Sequence, residues 1–154
     1  MGAGARGLTR GRAVPRRSPV RAAGTVVGLF FLVVGALGFV PQVTVHHEAL
    51  RLVGYGSSAR LFGVFQISVL LNLVHLLFGL AGLAMSRTIV GARTFLVGGG
   101  ALYLVVSLFG APVGQPGARD LLPVNAAAGW LHLGLGALMV AAGAVTPRGR
   151  VPAD

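Results

Sequence analysis

The sequence predicts an all-α, polytopic membrane protein with four transmembrane helices in an up-down-up-down bundle. Three observations carry this reading. The 154 residues are 55% hydrophobic and only 10% charged, whereas soluble domains carry about a quarter charged residues. Four apolar runs, about 22–40, 67–86, 94–111 and 126–145, each approach the ~20 residues that a helix needs to thread hydrocarbon. The 13 basic residues, all arginine, lie outside those runs.

Residues 1–21 form a basic tail of Gly, Ala and Arg that is too poor in apolar side chains to bury a core and reads as disordered. Residues 22–145 form the membrane domain. The first run is longer than a secretory hydrophobic region, and Pro41-Gln42-Val43 lacks a small-residue cleavage pattern, so it reads as a retained signal anchor. The connection Pro41 to Gln66 is the longest. Its second half, Ser57 to Gln66, mixes apolar and polar positions and fits a short interfacial helix. The seven residues Arg87 to Arg93 make spans two and three antiparallel neighbours. Gly98-Gly99-Gly100 would weaken the third helix in water, but lipid offers the backbone no other partner. Pro112 to Asn125 is a polar loop. Asn125 is placed to cap the fourth span, and Trp130 sits near its first turn, at interface depth. Residues 146–154 are a short polar tail.

Arginine placement sets the orientation. With both ends cytoplasmic, that side holds ten arginines: Arg6, Arg10, Arg12, Arg16, Arg17, Arg21, Arg87, Arg93, Arg148 and Arg150. The other side holds three: Arg51, Arg60 and Arg119. Basic residues resist translocation, so ten against three places both termini in the cytoplasm of a multi-pass protein of the plasma membrane. The N-terminal arginines either fix orientation only or also attract anionic lipid heads. The net charge of +10 does not indicate nucleic acid, because no aromatic-basic interleaving for stacking bases accompanies it.

An internal repeat is suggested. Spans two and four share H-L-x-x-G, at His75 to Gly79 and His132 to Gly136. Spans one and three end alike, Ala36 to Pro41 against Ser107 to Pro112. Two parallel copies of a helical hairpin would follow, related by an axis along the membrane normal. Chance similarity among Leu/Gly-rich helices is the competing reading.

His75 and His132 are the sharpest chemical feature, because an ionisable side chain inside a span is costly and rarely faces lipid. Asn72, His75, Gly79 and Gly82 share one helix face, and Gly129, His132, Gly136 and Gly143 share another. Three readings stay open. The histidines form neutral packing glue, hydrogen-bonded to Asn72, Tyr103 or Ser107 across helices. Alternatively they are the two axial ligands of a haem, although the neighbouring glycines favour close helix contact. The third reading is a proton or ion path, which suits the titration range of histidine.

Other chemistry is thinly supplied. Glu48, Asp120 and Asp154 are the only carboxylates and all lie outside the runs, which counts against ion-coupled transport and carboxylate catalysis. His46-His47-Glu48 are adjacent and lack a third ligand at a helpful spacing, so no metal site is expected there. The absence of cysteine excludes disulfides and thiol chemistry. No nucleophile elbow, Walker loop, dinucleotide fingerprint or zinc-protease motif occurs, and the chain reads as non-enzymatic. Gly24 and Gly28 form a G-x-x-x-G that marks close helix packing, within the chain or between two copies. The partners implied are membrane lipids, a second copy or another membrane protein.

The runs Phe31 to Pro41, Asn72 to Leu83 and Trp130 to Gly136 together resemble the bacterial membrane family called domain of unknown function 4383, over about residues 22–145. The resemblance implies a small four-helix protein of the bacterial cell membrane, and the family has no assigned activity. Its pattern often places an Asp-Asn pair before Trp-Leu-His and a His before the Asn of the second span. Here those places hold Ala128, Gly129 and Leu71, which puts any family activity that needs those groups in doubt for this chain.

Overall fold

A computed structural model of the chain describes residues 18–110 and 125–145. It contains four helices: α1 (Pro19–Leu37), α2 (Val69–Met85), α3 (Ile89–Gly110) and α4 (Ala126–Val145). Three of them, over Pro19–Leu37, Ile89–Leu108 and Ala126–Val145, are long and apolar enough to cross a membrane, while α2 is an apolar helix of 17 residues. Arg16, Arg17 and Arg148, with most of the two tails and the Pro112 loop, lie outside the described residues.

Both ends of α1 and the start of α3 differ from the apolar runs that suggested them. Helix α1 begins at Pro19, where a proline costs no hydrogen bond, and so takes in Arg21. Helix α3 begins at Ile89, after Thr88 accepts a bond from the Gly91 amide at 2.9 Å, and takes in Arg93. The turn between α2 and α3 thus shrinks to Ser86–Thr88. Arginine tolerates this because its long stem can lie along an apolar helix while its head reaches the surface. Arg21 Nε donates to the Ser86 carbonyl at 3.1 Å, satisfying a group just past the end of α2 that its own helix leaves open.

Helices α1 and α2 run antiparallel in close contact, as do α3 and α4. The buried face of α1 is Val20, Gly24, Gly28, Phe31 and Gly35, and that of α4 is Ala128, His132, Gly136, Met139 and Gly143. Each repeats every three or four residues, the period of one helix face. The opposite faces present large apolar side chains outward, among them Val26, Val33, Leu77, Leu80, Leu108 and Leu138. The buried polar residues include Ser68, Asn72, His75, Ser86, Ser107 and His132. This is the reverse of a water-soluble bundle, in which polar groups face out.

The connection from α1 to α2 folds into a small sheet rather than the interfacial helix expected over Ser57 to Gln66. Strands β1 (Thr44–Val45), β2 (Arg60–Leu61) and β3 (Phe65–Gln66) pair antiparallel in that order. Two side-chain bonds pin the segment into extended form: the Ser57 hydroxyl donates to the Ile67 carbonyl at 2.6 Å, and Gln66 Nε2 donates to the Ser57 carbonyl at 2.7 Å. Ala59, Leu61 and Ile67 make a satellite core against Val34 and Leu37 at the end of α1. The carbonyls of Arg51 and Leu52 receive the Val69 and Leu70 amides, so this loop closes the open N-terminus of α2.

Candidate functional site

The two hairpins place equivalent residues at equivalent contacts. Gly28 of α1 and Gly79 of α2 meet backbone to backbone: a Cβ on Gly79 would stand 2.7 Å from the Gly28 carbonyl oxygen. Gly100 of α3 and Gly136 of α4 meet in the same way, with the Gly136 position 2.9 Å from the Gly100 oxygen. Leu32 crowds Gly79 as Leu104 crowds Gly136. Gly35 faces the Asn72 carbonyl, and Ser107 donates to the Gly129 carbonyl at 3.2 Å. Ser68 caps α2 by accepting from the Leu71 amide, and Asn125 caps α4 by accepting from the Ala128 amide. The shift is 72 residues from α1 to α3 (28 to 100, 32 to 104, 35 to 107) and 57 from α2 to α4 (68 to 125, 75 to 132, 79 to 136). Matching Pro41 with Pro112 gives 71 instead, one residue out of register.

The glycines of the sequence-based packing stripe all face neighbours. Gly24 lies against Ser86 and Ala92, Gly82 against Phe95 and Gly28, and Gly143 against Leu96 and Val97. Space is the reason: only a hydrogen in place of a side chain lets the axes come this close.

His75 and His132 each occupy the seventh position of their helix, about 9 Å from its start at helical rise. The two pairs of helices bring them together. Their ring centroids are 6.3 Å apart, with the planes inclined at 49°. Both residues are only 6% exposed. Phe31 stacks on His75 at 5.7 Å and 15°, and Tyr103 sets its edge against His132 at 4.9 Å and 80°. Phe31 and Tyr103 touch at 5.1 Å, closing a ring of four side chains. Phe31 and Tyr103 are themselves related by the 72-residue shift, as His75 and His132 are by the 57-residue shift.

The described structure shows no hydrogen bond from either imidazole to Asn72, Tyr103 or Ser107; the His75 ring is bonded to the Leu71 backbone of its own helix. Nδ1 of His132 and Nδ2 of Asn72 are buried without a hydrogen-bond partner among the described residues. Ser107 bonds the Gly129 backbone instead. Asn72 is wedged against Gly38, where any side chain would collide with its amide. Of the four candidate polar residues, His75, His132 and Tyr103 converge through ring contacts, and Asn72 lies one turn above His75 on the same face.

Phe31 is the site residue that the sequence reading missed. A phenylalanine in an apolar run carries no signal alone, and only the 72-residue register against Tyr103 marks it. His46 Nδ1 and Glu48 Oε1, by contrast, lie 3.5 Å apart and exposed in the first loop, away from the buried pair. Among the described residues no group of three or more His, Cys, Asp or Glu converges on a point that could hold a metal ion.

A haem between the histidines does not suit this geometry. A porphyrin extends well beyond its axial imidazoles in its own plane, and the rings of Phe31 and Tyr103 stand there. A continuous ion path does not suit it either. Between the histidines and the arginine-bearing end, the core is Phe78, Phe95, Leu96, Met139, Ala92 and Val20. Buried polar groups gather on the other side, at Asn72, Ser68, Ser107 and Ser57.

The sequence profile of a family described as "Domain of unknown function (DUF4383)" matches residues 21–145. The chain belongs to this family. The match covers α1 from Arg21 onward, the first loop and the other three helices, so the facing histidines lie inside the DUF4383 region. No curated protein and no solved structure matches the chain.

Proposed function

We propose that this DUF4383 protein is a small, non-enzymatic protein of the bacterial cell membrane that works by association within the bilayer, with lipids, a second copy or a membrane-protein partner. The observation that carries the reading is the outward apolar and inward polar distribution of all four helices. Such a surface is matched to hydrocarbon and mismatched to water. In this reading the helices cross up-down-up-down as two copies of one hairpin, with both termini cytoplasmic.

Arg21, Arg87 and Arg93 gather at the end formed by the start of α1 and the α2–α3 turn, while Arg51 and Arg60 sit in the loop at the opposite end. Arginine excess at one end supports the cytoplasmic assignment of that end. Helix α2 spans only about 26 Å at helical rise, short of the ~30 Å of a typical hydrocarbon core. Its closed N-terminus and the satellite core beneath the sheet support a crossing in which the first loop sits down into the interface.

Chemical cross-linking in native membranes, followed by mass spectrometry, tests the association. A defined set of cross-linked membrane proteins or self-dimers is the expected result. A chain that is released by carbonate wash and cross-links to nothing in the membrane contradicts it.

A further inference from the structure

We propose that His75 and His132 form a two-coordinate site for a monovalent soft metal ion, cuprous copper, held between one ring nitrogen of each imidazole. The inference goes beyond association with partners and does not require any.

The separation leaves room for a bridging atom. A direct N–H···N bond of ~2.9 Å between two collinear imidazoles would put their centroids roughly 5 Å apart. Two imidazole–metal bonds of ~2.0 Å in line put them roughly 6 Å apart. The observed 6.3 Å fits the second and is about 1 Å too long for the first. The His132 ring is a second, independent observation, since its buried Nδ1 has no hydrogen-bond partner among the described residues, while the His75 ring is bonded only to the Leu71 backbone of its own helix and to no neighbouring helix. The ring contacts supply the third. Phe31 stacked on His75 and Tyr103 edge-on to His132 hold both imidazoles in place before any ion arrives.

Ligand number and charge select the ion. Zinc takes three or four protein ligands, and calcium and magnesium take six or more oxygens. Two imidazoles suit cuprous copper, which is satisfied by few ligands and accepts nitrogen or sulfur. The charge cost points the same way. Among the described residues Glu48 is the one carboxylate, and it lies in the first loop. A divalent ion would sit in the bundle without a counter-charge, and solvation loss grows with the square of the charge, so a single positive charge is far less costly. Aromatic rings beside the site add cation–π attraction. The polar side chains Asn72, Ser68 and Ser107 lie on the first-loop side of the pair, and the apolar core closes the other side.

The test uses full-length protein in detergent under argon, with His46 and His47 changed to Asn to remove the exposed histidines. Cuprous copper is delivered from a coloured chelate that competes for it. The expected result is one equivalent withdrawn per chain, with X-ray absorption showing two short nitrogen neighbours and no sulfur. His75→Gln or His132→Gln should each weaken uptake by more than the 10–100-fold that loss of an outer-shell partner costs. Failure of the parent protein to take up copper overturns the site, as does uptake retained by the double Gln variant. Should the Gln variants not stay monodisperse, the absorption spectrum of the parent decides alone. Three or four neighbours, or any sulfur, overturn the two-imidazole site.

Discussion

The first hairpin and the second solve one packing problem with different residues, and the differences separate scaffold from site. In both, facing glycines let the axes touch, a leucine four residues on crowds the partner glycine, and a polar side chain caps the second helix. In the first, Gly35 and Asn72 stand where the second has Ser107 and Gly129, so the polar group has changed helix. Phe31 stands where the second has Tyr103. The connection is fifteen residues longer in the first (72 less 57) and carries the sheet. Two polar groups inside the helices are the same in both halves: the histidine, and the arginine near the starts of α1 and α3, Arg21 and Arg93. The polar group beside the glycine contact sits on α2 in one hairpin, as Asn72, and on α3 in the other, as Ser107. A pair that must meet across the interface cannot change helix in this way.

The largest effects should come from filling the glycine contacts. Gly79→Leu and Gly136→Leu each push side-chain atoms onto a facing backbone that cannot give way, at about 3 kcal/mol or more. The comparison predicts similar losses from both, measured by unfolding in mixed micelles. A severe loss in one and none in the other would break the equivalence of the hairpins.

Next in size are the histidines without metal. His132→Phe removes a buried nitrogen that has no partner among the described residues and keeps an aromatic ring against Tyr103. Relief of an unsatisfied polar group is worth about 1–3 kcal/mol, so copper-free stability should hold or rise while copper uptake is lost. A clear fall in stability would show that the imidazole has a structural bond of its own.

The caps should follow. Ser68→Ala and Asn125→Ala each lose a cap worth about 1 kcal/mol. Asn125→Ala should lose more, because Asn125 Nδ2 also donates to the Val64 carbonyl at 2.7 Å and ties the first loop to α4. Equal losses would remove that tie from the account.

The smallest effect belongs to the sheet. Phe62 adopts φ 53° at the hairpin tip and is 58% exposed. A left-handed backbone is uncommon for a bulky residue and readily accepted by asparagine. Phe62→Asn should be neutral or stabilise by up to about 1 kcal/mol. A loss would show that the exposed ring has a contact in the bilayer interface.

The helical content and the two histidines were legible because both signals are strong in a single chain. Apolar runs of span length have few other uses, and an imidazole inside one stands out. The small sheet was not legible. Its strands are two residues long, too short for alternation to show, and side-chain bonds from Ser57 and Gln66 to distant carbonyls hold them. The helix starts at Pro19 and Ile89 were hidden by Arg21 and Arg93, which end an apolar run in hydropathy but do not end a helix. Phe31 was hidden by its own hydrophobicity.

The central claim is that two like hairpins turn their histidines toward each other inside an apolar bundle in the membrane. Solid-state NMR on protein in lipid bilayers, with labelled histidine and His46 and His47 changed to Asn, tests it most directly. The account predicts a ring-to-ring contact between His75 and His132 and ring contacts from each to Phe31 or Tyr103. Two imidazoles that show no mutual contact and instead correlate with lipid acyl chains would contradict it.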